Sequence, residues 1–210
     1  AKRGVIVSGG GTGGHLYPAL VVGQRLRAEA PDLPLTFVGT RRDVEQRIMA
    51  EQGVRFIPMR IEGLKGRGLK SLRGLAVLPL AFAHSLAILA RTRPRLVIGV
   101  GGYSSGPIVL LASWLRVPTV ILEQNARPGF TNRLLARAVR AAVVAFPSTL
   151  PYFRGKGVVL GNPVREEFYA LPAKPRSATL DVLVFGGSQG SRFLNDLVVA
   201  ALPLLAGAKD

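Results

Sequence analysis

A chain of 210 residues, 48% hydrophobic and 19% charged, is long enough for one large domain or parts of two and too apolar to be disordered. It has no cysteine, which excludes a disulfide framework and a thiolate metal site and suits a reducing compartment. The 28 Lys and Arg against 12 Asp and Glu give a formal charge of +16, which calls for an anionic partner. With one tryptophan and four tyrosines there is little to stack bases on, so a phosphorylated metabolite or an anionic lipid surface is favoured over nucleic acid.

Residues 4–9 read as the first strand. Lys2 and Arg3 precede only a short strand-like run before the glycines, so no signal peptide is expected there. The loop Ser8 to Pro18 follows, and then Leu16, Ala19, Leu20, Gly23 and Leu26 recur at helical spacing. Pro18 is expected in the first helical turn, where a missing N–H costs nothing. Unpaired first amides and the positive end of the helix dipole make this loop an anion site. Glycines 9, 11 and 14 also satisfy GxGxxG, so the loop alone leaves a dinucleotide open. Strands at Leu35–Val38 and Val54–Met59 flank a helix near residues 43–52, and Arg41 and Arg42 would suit the 2′-phosphate of NADP.

Between residues 60 and 73, Arg60, Lys65, Arg67, Lys70 and Arg73 are spread among glycines and leucines. An apolar run from Leu75 to Ala90 follows and ends in Arg91, Arg93 and Arg95. It falls short of the roughly 20 residues that span a bilayer and is interrupted by Pro79, His84 and Ser85. Two readings stand: a helix buried against a sheet, or a face with basic margins, residues 64–95, that docks on an anionic membrane surface.

A strand at Arg95–Gly99 then runs into a second glycine loop, Gly99 to Pro107, and a helix over 107–115, repeating the first design. The strand Pro118–Leu122 carries Glu123-Gln124-Asn125-Ala126 at its end, and a helix over 130–139, a strand over 141–146 and a short strand at Val158–Leu160 follow. Residues 161–179 hold no periodic segment and read as a linker. Beyond them, a strand at Leu180–Phe185, a third glycine loop over 186–191 and a helix over 192–206 resemble the start of a second α/β unit. The chain is therefore expected to be a fragment, with an amino-terminal domain over 1–162 and the linker and first strand–loop–helix of another over 163–210. Alternating strands and helices predict a doubly wound parallel sheet with ligands at the carboxyl ends of its strands. Two anion loops on one rim suggest a diphosphate.

Five motifs in order, Gly-Gly-Thr-Gly-Gly-His-Leu-Tyr-Pro-Ala (10–19), Gly-Gly-Tyr-Ser-Ser-Gly-Pro (101–107), Glu-Gln-Asn-Ala (123–126), Gly-Asn-Pro-Val-Arg (161–165) and Gly-Gly-Ser-Gln-Gly-Ser (186–191), resemble the MurG family of peptidoglycan glycosyltransferases. The resemblance implies a GT-B architecture of two Rossmann-like domains. It implies transfer of N-acetylglucosamine from UDP-N-acetylglucosamine to the muramoyl 4-hydroxyl of lipid I with inversion, giving lipid II, and requires neither a tightly bound metal nor a cofactor. It also implies a peripheral enzyme on the cytoplasmic face of the bacterial membrane, with the amino-terminal domain on the acceptor side and most of the donor pocket in the carboxyl-terminal domain.

Carried over by position, Thr12, Gly13, Gly14, Asn125, Arg165 and Ser188 match donor contacts, and His15 matches the proposed catalytic histidine. Gly101, Gly102, Tyr103 and Ser104 form the acceptor and diphosphate loop. On the residues alone plainer roles stay open: packing for His15 and His84, space filling for Tyr103, a linker ion pair for Arg165, a helix cap for Ser188 and loop capping for Glu123, which is also a minor alternative base. An NADP-binding oxidoreductase and a non-catalytic membrane-surface binding fragment are the competing functions. The family's uracil and ribose contacts would lie beyond Asp210.

Overall fold

The computed structural model describes residues 3–59, 61, 69–172, 182–186 and 190–206. The chain divides into two compact units, residues 1–169 and 170–210.

The first unit is built on seven strands: β1 (Val5–Gly9), β2 (Leu35–Thr40), β3 (Phe56–Met59), β4 (Leu96–Gly101), β5 (Thr119–Glu123), β6 (Ala141–Val144) and β7 (Gly157–Val159). They pair in the order β3-β2-β1-β4-β5-β6-β7, every pair parallel. Crossovers are α1 (Gly13–Glu29), α2 (Asp43–Glu51), α3 (Leu69–Thr92), α4 (Ser105–Trp114) and α5 (Phe130–Leu135), with 3-10 turns at Pro147–Phe153 and Glu166–Phe168.

Side-chain alternation along each strand feeds two cores. Ile6, Val38, Val97 and Ile121 face one side, under Ala81, Ile88 and Leu89 of α3 and Ile108, Val109 and Ala112 of α4. Val5, Val7, Phe37, Ile98 and Val100 face the other, against Leu16, Ala19 and Leu20 of α1 and Met49 of α2. Burial on both faces is why these strands read as unbroken apolar runs.

Several boundaries differ from expectation. α1 starts at Gly13, which puts Pro18 in the second turn. There the proline withholds the N–H that would bond the Gly14 carbonyl. α4 starts at Ser105, and α5 stops at Leu135 in a tight turn in which Ala138 and Val139 both donate to Leu135. β6 ends at Val144 because its ladder partners end there, at Glu123 on one side and Val159 on the other. In the second unit, the described residues 182–186 form no strand, since a strand needs a neighbour to pair with. The helix α6 (Arg192–Ala206) does form, and Ser191 Oγ caps it by accepting from the Leu194 amide at 3.2 Å.

α3 bears out the reading of its apolar run as a helix buried along one stripe. Ala81, Ser85, Ile88 and Leu89 are buried at helical spacing, while Leu80 and Leu86 are exposed. No helix among the described residues is long and apolar enough to cross a membrane. Arg60, Lys65 and Arg67 lie outside the described residues, as do the side chains of Lys70 and Arg73.

Candidate functional site

The chain turns back between β1 and β4, so the crevice at the carboxyl ends of these two central strands is where the topology opens a ligand site. The first glycine loop leaves β1 there and the second leaves β4. A register shift between Ser8 and Gly9 against β4 lets the loops diverge and then fold over one another. Gly102, at φ +80°, lies so close to the first loop that a Cβ would stand 2.3 Å from the Gly10 carbonyl oxygen.

Thr12 is the N-cap residue of α1, and its carbonyl accepts the amides of His15 and Leu16. Its hydroxyl does not cap the helix. Instead Oγ1 sits 3.0 Å from His15 Nδ1. When Nδ1–H donates to that hydroxyl, Nε2 carries the lone pair. The ring lies against Gly101, where a Cβ would meet Cδ2 at 2.6 Å and Nε2 at 2.9 Å, so the second loop needs glycine to admit the imidazole. Burial holds the imidazole below its ordinary value of 6.5, while the carboxylates of Glu123 and Glu45 pull it back up. At neutral pH the ring is therefore a neutral acceptor.

Two buried carboxylates hold the walls of this site. Glu45, in the first turn of α2, is 2% exposed. It accepts the Gly11 amide on Oε1 together with the Thr40 hydroxyl at 2.7 Å, and the Thr40 amide on Oε2 at 2.8 Å. The carboxylate thus takes one of the amides that a phosphate in the first loop would need. Glu123, 3% exposed, accepts the Asn125 amide and side-chain Nδ2 on Oε1 and the Gly129 amide and Asn132 Nδ2 on Oε2, at 2.9–3.0 Å. Both its oxygens are engaged in organising the loop after β5.

A cleft of about 240 Å³ runs between these walls, lined by His15, Gly101, Gly102, Tyr103, Glu123, Asn125 and Asn132 among others. Ser104 is fully buried, its carbonyl accepting from Ser8 Oγ at 3.3 Å, and neither it nor His84 lines the cleft. Gly13 and Gly14 line a separate groove with Tyr17, Asn162 and Arg165. Ser188 lies outside the described residues.

Sequence reasoning missed Glu45 and Asn132. Asn132 donates both Nδ2 hydrogens, to the Leu122 carbonyl at 2.8 Å and to Glu123, which fixes its amide orientation and leaves its buried Oδ1 without a partner among the described residues. The available signal was periodicity. Asn132 shares a stripe with Leu135, Ala136 and Val139, and Glu45 one with Met49, and a polar residue on a core stripe is one that the core must satisfy.

A parallel sheet with two interlocked glycine loops at its switch point and a half-buried imidazole between them defines a Rossmann-like domain of the GT-B type. Residues 5–144 match the glycosyltransferase family 28 N-terminal domain, and the chain belongs to that family. It is similar to the UDP-N-acetylglucosamine–N-acetylmuramyl-(pentapeptide) pyrophosphoryl-undecaprenol N-acetylglucosamine transferases of Myxococcus xanthus (42% identical over 210 residues, 98% of this chain) and Desulfotalea psychrophila (44% over 204 residues, 95% of this chain). Each match takes in 55% of the relative, so the chain spans about half the length of the curated relatives it matches. Among solved structures it is similar to Acinetobacter baumannii MurG, at 28% identity and a TM-score of 0.63 over 79% of this chain and 47% of that one. The UDP co-structure of S. aureus MnaA, at 12% identity and a TM-score of 0.61 over 84% of this chain and 50% of that one, shares the fold.

Proposed function

We propose that the protein is an inverting glycosyltransferase that moves N-acetylglucosamine from UDP-N-acetylglucosamine to the muramoyl 4-hydroxyl of lipid I, giving lipid II. The observation that carries the proposal is His15: a neutral ring, oriented through Nδ1 by Thr12, with Nε2 against the second glycine loop inside the cleft. The relatives' names supply the substrates.

The chemistry is a single displacement. His15 Nε2 takes the proton of the acceptor hydroxyl as its oxygen bonds to the anomeric carbon from the face opposite the leaving group. The bond from that carbon to the β-phosphate oxygen breaks, and its electron pair leaves on UDP. The first amides of α1, at Gly13 and Gly14, and the Arg165 guanidinium face the developing diphosphate charge. Thr12 and Asn125 are assigned to the donor as well, as the family resemblance implies, while Gly101, Gly102 and Tyr103 take the acceptor side; Ser188, the remaining donor position by resemblance, lies outside the described residues. The family 28 match and the relatives' names favour this reading over NADP.

The acceptor is lipid-linked, so the enzyme works as a peripheral protein at the cytoplasmic face of the membrane. The exposed apolar side chains of α3 and the basic residues within 64–95 provide the contact. Sugar transfer by protein of the relatives' full length, with UDP-N-acetylglucosamine and a lipid I analogue, tests the activity. Transfer with inversion is expected, and binding of NADPH in preference to the sugar nucleotide would overturn it.

A further inference from the structure

Arg165 is the cation of the donor groove, and the way it is held points beyond the site described so far. Its Cζ lies 5.4 Å from the centroid of the Tyr17 ring and 5.0 Å from that of Phe168. Phe168 is brought there by the single 3-10 turn Glu166–Phe168, whose last amide donates to the Arg165 carbonyl at 3.1 Å. Residues three apart eclipse in such a turn, so the ring falls over the arginine side chain. Tyr17 comes from the first helical turns of α1 and its ring also lies on the glycine loop, within 3.6 Å of where a Gly13 Cβ would stand. Both aromatics are about half exposed and serve neither core. Among the described residues Arg165 has no carboxylate partner, so the rings restrain the guanidinium without neutralising it.

We infer that Tyr17 and Phe168 are positioning residues that hold an uncompensated Arg165 beside Gly13 and Gly14, so that an anionic diphosphate meets a guanidinium already in place. This rests on the reading of Arg165 as a donor contact. Without the rings, a long, rotamer-rich side chain must be ordered each time the donor binds, and that entropy is charged against affinity. Each ring is worth about a two- to fivefold change at an exposed site.

The test is steady-state kinetics of protein of the relatives' full length with UDP-N-acetylglucosamine and a lipid I analogue. Tyr17→Leu and Phe168→Leu keep apolar bulk at exposed positions and leave the melting temperature near wild type. Each is expected to raise the donor KM by roughly two- to fivefold with little change in the acceptor KM, and Tyr17→Phe, which keeps the ring, is expected to restore wild-type behaviour. In an Arg165→Ala background, which by itself raises the donor KM, both Leu substitutions are expected to have no further effect. Equal effects with and without Arg165 would overturn the inference, since the rings would then be touching the donor or serving the fold directly. An Arg165→Ala protein with an unchanged donor KM would instead remove the donor reading on which the inference stands.

Discussion

His15 concentrates the residue-scale chemistry. A general base contributes roughly a hundredfold to ten-thousandfold, so His15→Ala is expected to lower kcat by that range while the donor KM, read by transfer assay, moves only a few-fold. Burial sets the pH dependence. With its value held below the ordinary 6.5, the ring stays an acceptor at neutral pH and becomes protonated only as pH falls through that lowered value, so the acid limb of kcat/KM is expected below pH 6.5. The same sign governs stability: the unfolded chain takes up the proton more readily, so the contribution is complete above pH 6.5 and is lost as pH falls through the folded value. Glu45 offers a second handle. In Glu45→Gln the amide oxygen can serve Gly11 and the Thr40 hydroxyl, but the NH2 then faces the Thr40 amide, donor against donor. A buried donor left unsatisfied costs about 1–3 kcal/mol, to be read as a lowered denaturation midpoint. Removing the carboxylate also removes an upward pull on His15, so the acid limb should move further down. An unmoved limb would separate Glu45 from the imidazole.

At the scale of elements, the site depends on two loops that interlock through glycine. Gly102→Ala would drive a methyl into the Gly10 carbonyl from a residue at φ +80° and is expected to cost on the order of 1–3 kcal/mol in chemical denaturation. Because the displaced loops form the cleft walls, sugar transfer should fall more steeply than stability. These loops were the most legible part of the sequence, since Gly9 to Gly14 and Gly99 to Gly102 each stand between an apolar run and a helical stripe. What local pattern could not supply was their mutual contact, a fact of sheet order, where β1 and β4 are neighbours although α1 to α3 separate them in the chain. Helix starts were misjudged for a related reason. Gly13 and Ser105 carry no apolar period, yet loop geometry recruits them into the first turn. Glu45 was passed over because glutamate is ordinarily a surface residue; its stripe with Met49 hinted at burial, but only the fold brings Gly11 and Thr40 to it.

At the scale of the whole molecule, the excess of positive charge needs an account beyond the sheet that carries the site. The formal charge of +16 is too large to be answered by a single diphosphate, and basic residues cluster on both sides of the apolar run that becomes α3. The described part of that helix buries one stripe in the core and leaves Leu80 and Leu86 exposed, at 63% and 49%. Trp114, at the end of α4, is 66% exposed. Apolar side chains with a basic margin are how a peripheral protein combines insertion at the headgroup level with attraction to anionic lipid. Lys65, Lys70 and Arg73 are read from the sequence as part of that margin. Each basic residue near an anionic surface contributes about 1 kcal/mol, and the attraction decays within a Debye length of about 10 Å at 0.1 M salt. Co-sedimentation with vesicles containing anionic lipid should therefore weaken in steps as Lys65, Lys70 and Arg73 are changed to Gln, and should fall with added salt. Leu80→Ser and Leu86→Ser should weaken binding even at low salt, because they remove insertion rather than charge. Equal binding to neutral and anionic vesicles would remove the basic margin from the account, and binding indifferent to both sets of substitutions would place the membrane contact on another face.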